Sequence, residues 1–153
     1  MLYMVRTFSS NRKIYSVDMM FAYINIYKPK STSVDIDDLL HNLEYKGWGD
    51  PIKSILYSPL DVLKNPNKKQ YKKEIQRIEN ADLKYPIIIY NNNIVDGVHR
   101  LTKANLQGKK KIKAYIFNSD LMKKFLINNN RDWEKVDNME AYELIQLFHK
   151  RFD

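Results

Sequence analysis

Apolar and polar positions alternate in blocks along the first third of the chain. Residues 14–27 are rich in aromatic and β-branched side chains and predict one strand or two short strands. Between residues 36 and 43 the apolar positions recur at helical spacing, which predicts a short helix capped by Ser33 or Asp35. The glycines and proline of residues 47–51 then predict a turn.

The next stretch is more polar. Residues 52–57 are expected to be extended, and Ser58-Pro59 opens a short helix. Asn67 is expected to cap a polar helix that ends near Asn80.

The middle of the chain has the clearest pattern. A continuous apolar run at residues 85–90 predicts a buried strand, and the asparagines of 91–93 predict a tight hairpin. Residues 94–95 return as a second strand. A helix then begins at Asp96-Gly97 and stops at Gly108, a glycine typical of a helix C′ position.

The last part alternates again. Residues 112–117 predict a strand, 118–126 a helix, and a final helix starts near Asn138. The order of elements predicts an α+β fold with a small mixed sheet and packed helices. We expect residues 1–117 to form the main domain and 118–153 a helical C-terminal extension packed on it.

The amino-acid composition excludes several kinds of functional site. The 153 residues include no cysteine, which excludes disulfides, cysteine zinc sites, thiol nucleophiles and iron–sulfur clusters. Only four glycines are present, and neither a Walker A loop nor a GxGxxG fingerprint occurs. No apolar run approaches a membrane span, so we expect a cytoplasmic protein without a membrane partner. Abundant Lys, Asn, Ile and Tyr indicate an AT-rich genome, bacterial or viral.

The net charge of +8 is unevenly distributed. Residues 63–80 carry six basic side chains against two glutamates, whereas 33–50 carry five acidic side chains against one lysine. The lysine clusters are Lys68, Lys69, Lys72 and Lys73, and then Lys109, Lys110, Lys111 and Lys113. Such clusters either bind DNA or phosphorylated ligands or form an ordinary solvated surface.

The segment Asp96-Gly97-Val98-His99-Arg100 carries the strongest chemical signal. The start of a helix has unpaired N–H groups and a positive dipole end, which bind anions and disfavour cations. His99 and Arg100 in this first turn are therefore a local inconsistency that a bound phosphate would resolve. Gly97 would give the phosphate access to the backbone, and Lys103 lies one turn further on. The alternative is a helix cap at Asp96 and an Arg100–Asp96 surface pair.

The predicted order is strand, hairpin and strand, followed by the motif D-G-x-H-R-L-x-x-A. This order and motif resemble the ParB/sulfiredoxin-like superfamily, and the wider match covers residues 14–117. The resemblance is strongest over 85–117. It implies a nucleotide or phosphate site in which Gly97, His99 and Arg100 occupy the family's phosphate-binding positions. Val98 and Lys103 complete the expected set.

The branches of the superfamily differ at this motif. Sulfiredoxins have a catalytic cysteine where this chain has Val98, so sulfinic acid reduction is excluded. ParB partition proteins continue into a helix-turn-helix domain, for which the 36 residues after Phe117 are too few. The motif resembles most the free serine kinase branch, which transfers phosphate from a nucleotide to a small hydroxyl compound.

These inferences favour a nucleotide- or phosphate-binding domain, with a phosphotransferase or nucleotidase activity that uses ATP or another nucleotide and Mg²⁺. Asp96, His99 and Asp35 are the expected catalytic residues, with the other carboxylates of the acidic stretch as substitutes for Asp35. The alternatives are a non-catalytic ParB-like module that binds DNA through the lysine clusters, and an interaction protein without chemistry. We expect the ligand to be a nucleotide or a phosphorylated small molecule. The sequence does not indicate an oligomeric state.

Two aromatic or titratable features are less specific. Trp48, between two glycines, either stacks on a base or anchors a packed loop. His41, His99 and His149 lack metal-ligand spacing, so no histidine metal site is expected.

Overall fold

The computed structural model describes residues 5–130 and 132–152. Contacts divide the chain into two compact units, Ser31–Ile116 and the pair of segments Met1–Lys30 and Phe117–Asp153. Both contain helices and strands, which confirms the α+β class. The division into 1–117 and 118–153 stays a prediction, and its residues 1–4, 131 and 153 lie outside the described part.

Nine strands and seven α-helices are described. The strands are β1 (Thr7–Ser10), β2 (Lys13–Ser16), β3 (Thr32–Asp35), β4 (Trp48–Asp50), β5 (Ile55–Tyr57), β6 (Ile87–Tyr90), β7 (Asn93–Asp96), β8 (Lys111–Ile116) and β9 (Leu126–Asn128). The helices are α1 (Val17–Tyr27), α2 (Pro59–Lys64), α3 (Lys72–Asn80), α4 (Val98–Leu106), α5 (Ser119–Lys123), α6 (Trp133–Asp137) and α7 (Ala141–Phe152). Two 3₁₀ helices cover Ile36–Leu43 and Lys69–Tyr71.

The Ser31–Ile116 unit is built on a four-stranded mixed sheet in the order β3-β8-β6-β7. β6 and β7 form an antiparallel hairpin, and β8 runs parallel to β6 after the α4 connection. β3 closes the other edge antiparallel to β8. The core of this unit consists of buried aliphatic side chains from the sheet, α4 and the first 3₁₀ helix: Ile36, Leu39, Leu43, Ile87, Ile89, Ile94, Leu101, Ala104, Ile112 and Ala114.

The β6–β7 turn confirms the asparagine prediction. Asn91 and Asn92 have φ values of 49° and 63°. Asparagine tolerates this left-handed region, and two such residues in succession give a hairpin turn whose twist matches the strands. The turn therefore sets where β6 ends and where β7 begins.

The segments before β6 correct two predictions. Residues 47–51 are not only a turn, because Trp48–Asp50 pairs with Ile55–Tyr57 as the β4–β5 hairpin. Asn67 does not cap α3, since Tyr71 precedes the helix and makes no side-chain cap. The short helix α2 is confirmed and begins with a Ser58–Asp61 capping box.

The unit formed by the chain ends has a three-stranded sheet in the order β1-β2-β9. The strand prediction for residues 14–27 is wrong after Ser16, because the Ser16 hydroxyl accepts a hydrogen bond from the Met19 amide and starts α1. The strand preference of aromatic and β-branched residues depends on context, and here the cap and the burial of one helix face override it. The buried hydrophobic residues described in this unit are Ile14, Tyr15, Val17, Met19, Met20, Phe117, Met122, Phe125, Val136, Leu144 and Phe148.

The C-terminal residues also differ from the prediction. The helix expected over 118–126 ends at Lys123, and Leu126 begins β9, which pairs with β2. Helix α6 has no counterpart in the sequence-based expectation, and the last helix begins at Ala141. Within residues 5–130 and 132–152, no helix combines the length and apolar character required to cross a membrane.

Candidate functional site

Gly97 joins β7 to α4 and adopts a φ of 116°. A Cβ at this position would overlap the Ile87 side chain, so both the backbone angle and the packing require glycine. Gly97 is the N-cap of α4 and provides no side-chain cap. The first helical hydrogen bond runs from the Leu101 amide to the Gly97 carbonyl at 2.9 Å, so the amides of residues 98–100 have no intrahelical partner.

Arg100 lies against the last residue of β7. Its Nη2 is 2.6 Å from Oδ2 of Asp96, and its Nη1 donates to the carbonyls of Tyr85 and Pro86 at 3.0 and 2.7 Å. Only 17% of the Arg100 side chain is exposed. Asp96 therefore pairs with Arg100, as in the alternative drawn from the sequence, but it is not the helix cap.

His99 is held by residues from two other elements. Its Nε2 lies 2.6 Å from Oε2 of Glu74 on α3, and the indole of Trp48 on β4 stacks on its ring at 4.5 Å between centroids. Glu74 is buried, and its other oxygen lies 3.4 Å from Nη1 of Arg77. The interplanar angle of 13° fixes the plane of the imidazole, and Glu74 fixes its rotation. Trp48 thus packs on a side chain of the site.

The hydroxyl of Tyr57 is affected by the charge of Glu74. Burial, and then the nearby negative charge of Glu74, raise the pKa of the Tyr57 hydroxyl above its ordinary value. A buried carboxylate disfavours a second negative charge in its surroundings.

Lys103 holds two helices together. Its Nζ donates to the carbonyls of Glu79 and Ala81 at 2.8 and 2.6 Å, at the C-terminal end of α3. A cation at this end of a helix also interacts favourably with the helix dipole. The ammonium group predicted to contact phosphate therefore binds the α3 carbonyls and positions α3 beside α4.

An open pocket of about 380 Å³ lies at the start of α4. Its lining combines the α4 start with the C-terminal end of α3 and the segment that follows it: Arg77, Asn80, Ala81, Asp82, Tyr85, Asp96, Gly97, His99 and Arg100. Four of the predicted site residues, Asp96, Gly97, His99 and Arg100, meet there. Val98 instead packs against the core.

Asp35 lies elsewhere. It ends β3 and forms an ion pair with Lys111 at 3.0 Å, whereas Asp96 ends β7 at the other edge of the sheet. Three strand spacings, roughly 14 Å, separate these two edges. The structure does not bring Asp35 and Asp96 together, and the expected substitutes Asp37, Asp38 and Glu44 are exposed on or beside the first 3₁₀ helix, outside the pocket lining.

Two functional candidates, Glu74 and Arg77, were missed by the sequence analysis, which counted them only in a charged helix. Glu74 shares the buried face of α3 and its preceding turn with Tyr71 and Ile78. An acidic residue at an apolar position of a helix is the available signal. Among the described residues, no group of three or more His, Cys, Asp or Glu side chains is placed to hold a metal ion.

All eight lysines of the two clusters are exposed. Lys68, Lys69, Lys72 and Lys73 lie on or beside the second 3₁₀ helix and the first turn of α3. The second cluster lies on the loop after α4 and on β8. These positions fit either contact with phosphates or a solvated surface.

Comparison of the chain with protein-family models, with curated proteins and with solved structures finds no match. The function is therefore inferred from the pocket and its contacts. A helix start without a side-chain cap, two guanidinium groups and an imidazole surround the same opening. This set of donors is suited to binding an anion.

Proposed function

We propose that the pocket binds the phosphate groups of a nucleotide or a phosphorylated small molecule. The start of α4 carries this proposal, because the amides of residues 98–100 have no intrahelical partner and the turn lines the pocket. Backbone N–H groups and the helix dipole at such a start favour phosphate.

We also propose that the Ser31–Ile116 unit has a ParB/sulfiredoxin-like fold. The support is the order of elements: the β6–β7 hairpin, Gly97, α4 and then β8 parallel to β6. This is the order on which the resemblance of the sequence rests. In such a fold the Gly97–Arg100 turn would be the phosphate-binding turn.

The contacts of Arg100 change its proposed role. Its three hydrogen bonds use three of the five guanidinium N–H donors and fix Asp96 and the entry to β6. We therefore assign Arg100 mainly to shaping the turn. Arg77, whose side chain is 64% exposed at the pocket, is the cation better able to reach a phosphate.

The proposed reaction is phosphate transfer or hydrolysis with ATP or another nucleotide. Mg²⁺ fits the donor set, because it is commonly held by one or two carboxylates together with substrate phosphates. Asp96 and Asp82 line the pocket and would supply those carboxylates. When bound, Mg²⁺ would neutralise charge on the phosphates.

A thermal-shift panel of nucleotides and inorganic phosphate, with and without Mg²⁺, tests the proposal. A ligand at 100 times its Kd stabilises the folded state by about 2.7 kcal/mol, which such a panel detects. Stabilisation by at least one nucleotide that falls by about half in Arg77→Ala, as about tenfold weaker binding requires, supports the pocket. Equal melting temperatures with every nucleotide would reject it.

A DNA-associated module is the second candidate, favoured by the exposure of all eight clustered lysines. Lysine contacts phosphate as a point charge and reads no base edge. Any DNA binding by these lysines would therefore be independent of sequence. Stabilisation by duplex DNA but by no nucleotide would favour this candidate.

A further inference from the structure

We propose that Glu74 is a positioning residue that holds His99 as the proton acceptor for a hydroxyl group attacking the bound phosphate. The inference rests on the proposed phosphate site and names a base for it. The hydroxyl belongs to water or to a small alcohol. The sequence predicted His99 as catalytic but offered no reason for its orientation.

The 2.6 Å contact sets which nitrogen of His99 is available. An ionised carboxylate accepts hydrogen bonds only, so Nε2 of the neutral imidazole carries the hydrogen that Glu74 binds. Nδ1 then has a free lone pair. No partner for Nδ1 occurs within the described chain, and the His99 ring lines the pocket. The arrangement leaves Nδ1 as the acceptor for a proton from a ligand.

Two further contacts restrict the imidazole. Trp48 stacks on the ring, so that the ring cannot tilt without losing this packing. Glu74 also contacts Arg77, and one buried carboxylate therefore orders both the base and the exposed cation of the pocket. Side chains from β4 and α3 thus converge on this one imidazole of α4.

The burial of Glu74 is costly for a purely structural role. Replacing a buried ion pair by apolar side chains is often neutral or stabilising, so burial of a carboxylate is weak evidence for stability. A buried acid that binds a pocket histidine is, in contrast, the usual arrangement for orienting a base. If Glu74 has a structural role only, its conservative variant should keep turnover, whereas a role in positioning His99 predicts that turnover falls.

The step balances with a nucleotide as phosphate donor. Nδ1 of His99 takes the hydroxyl proton while the hydroxyl oxygen forms a bond to the terminal phosphorus. The bond from phosphorus to the bridging oxygen breaks, and that oxygen keeps the electron pair as part of the nucleoside diphosphate. Water as nucleophile yields inorganic phosphate, and an alcohol yields a phosphate ester. His99 then releases its proton to solvent.

Steady-state turnover of ATP with Mg²⁺ tests the role of Glu74. Glu74→Gln keeps the size of the side chain but removes its charge, and we expect kcat to fall about 100-fold with KM changed less than about threefold. His99→Asn should lower kcat at least as far. Glu79→Gln, an exposed glutamate on the same helix, is the matched control and should keep wild-type turnover. Wild-type kcat in Glu74→Gln would overturn the proposal.

Long-range ¹H–¹⁵N spectra of the imidazoles give a second measurement on the wild-type protein, independent of the stability of the variants. We expect His99 to have a protonated Nε2 with a downfield-shifted proton, and an unprotonated Nδ1. A His99 protonated on Nδ1 alone would overturn the assignment.

The outcomes also separate the two proposals. ATP binding without any turnover would overturn the role of Glu74 and His99 and leave the phosphate site intact. Absence of binding by every nucleotide and by phosphate would remove both.

Discussion

Asp96 and Arg100 face each other across the α4 start, with Oδ2 of the carboxylate 2.6 Å from Nη2 of the guanidinium. Nε2 of His99 likewise lies 2.6 Å from Oε2 of Glu74. Each basic side chain of this first turn, which lies beside a positive helix end, is thus held by a carboxylate of the protein. The backbone amides of the turn, and not these charges, are what the structure leaves for a phosphate.

Arg100→Ala should destabilise the folded protein. The variant loses bonds to a carboxylate and to two carbonyls from a mostly buried side chain, and hydrogen bonds to charged groups contribute about 1.5–3 kcal/mol. Urea unfolding measures the loss. Arg77→Ala is the control, because the side chain of Arg77 is 64% exposed and its one contact, at 3.4 Å, is to a Glu74 that keeps His99 as a partner, so the loss should be less than about 1 kcal/mol. Equal losses in the two variants would contradict the role of Arg100 as a support for the turn.

Gly97→Ala should be more damaging than Gly108→Ala, although both glycines have positive φ. At Gly108 an added Cβ meets nothing within 4 Å, so only backbone strain of about 1–2 kcal/mol applies. At Gly97 the Cβ also overlaps Ile87, which adds about 1–3 kcal/mol of overpacking. Comparing the two unfolding free energies isolates the Ile87 contact. Similar costs at the two positions would show that this close approach is not present.

The capping box of α2 should contribute to stability in a pH-dependent way. The hydrogen bond from the Ser58 amide, together with its hydroxyl and Lys46, holds the pKa of Asp61 below its ordinary value. The contribution is therefore fully present above the unfolded-state pKa and is lost as pH falls through the lower folded-state pKa. Unfolding of wild type and Asp61→Asn across the acid range should show a difference that shrinks as pH falls. Parallel curves would contradict it.

The first lysine cluster should give weak DNA binding that does not depend on sequence. Changing Lys68, Lys69, Lys72 and Lys73 to glutamine should lower affinity for two unrelated duplexes equally and reduce the salt dependence by about 0.9 for each phosphate that is no longer neutralised. Fluorescence anisotropy over a salt series measures both. The same variant should bind nucleotide as wild type does, since none of these lysines lines the pocket. Strong preference for one duplex would contradict the prediction.

Local signals predicted the region around the pocket. Asn91, Asn92, Gly97 and Gly108 each adopt the positive φ that their residue types indicate, and the strands and helix between them follow. The strand prediction for residues 14–27 was wrong after Ser16, because their aromatic and β-branched composition favours a strand whereas the Ser16 cap starts a helix. Strand β9 exists through its pairing with β2, more than 100 residues earlier, which no local pattern shows.

The contacts of the candidate site also fall into those that the sequence indicates and those that only the fold creates. The Asp96–Arg100 pair has i,i+4 spacing and is visible in the sequence. Glu74 and His99 are 25 residues apart and meet only because α3 packs beside α4. Asp35 was grouped with the site by charge alone, and the strand order places it at the opposite edge of the sheet.

Titration of ¹⁵N-labelled protein with ATP and Mg²⁺, followed by amide chemical shifts, tests the phosphate site most directly. The account predicts saturable shifts centred on the amides of Val98, His99 and Arg100, and about tenfold weaker binding in Arg77→Ala, equivalent to about 1.4 kcal/mol. Shifts confined to the lysine clusters, or no saturable shift at the start of α4, would contradict it.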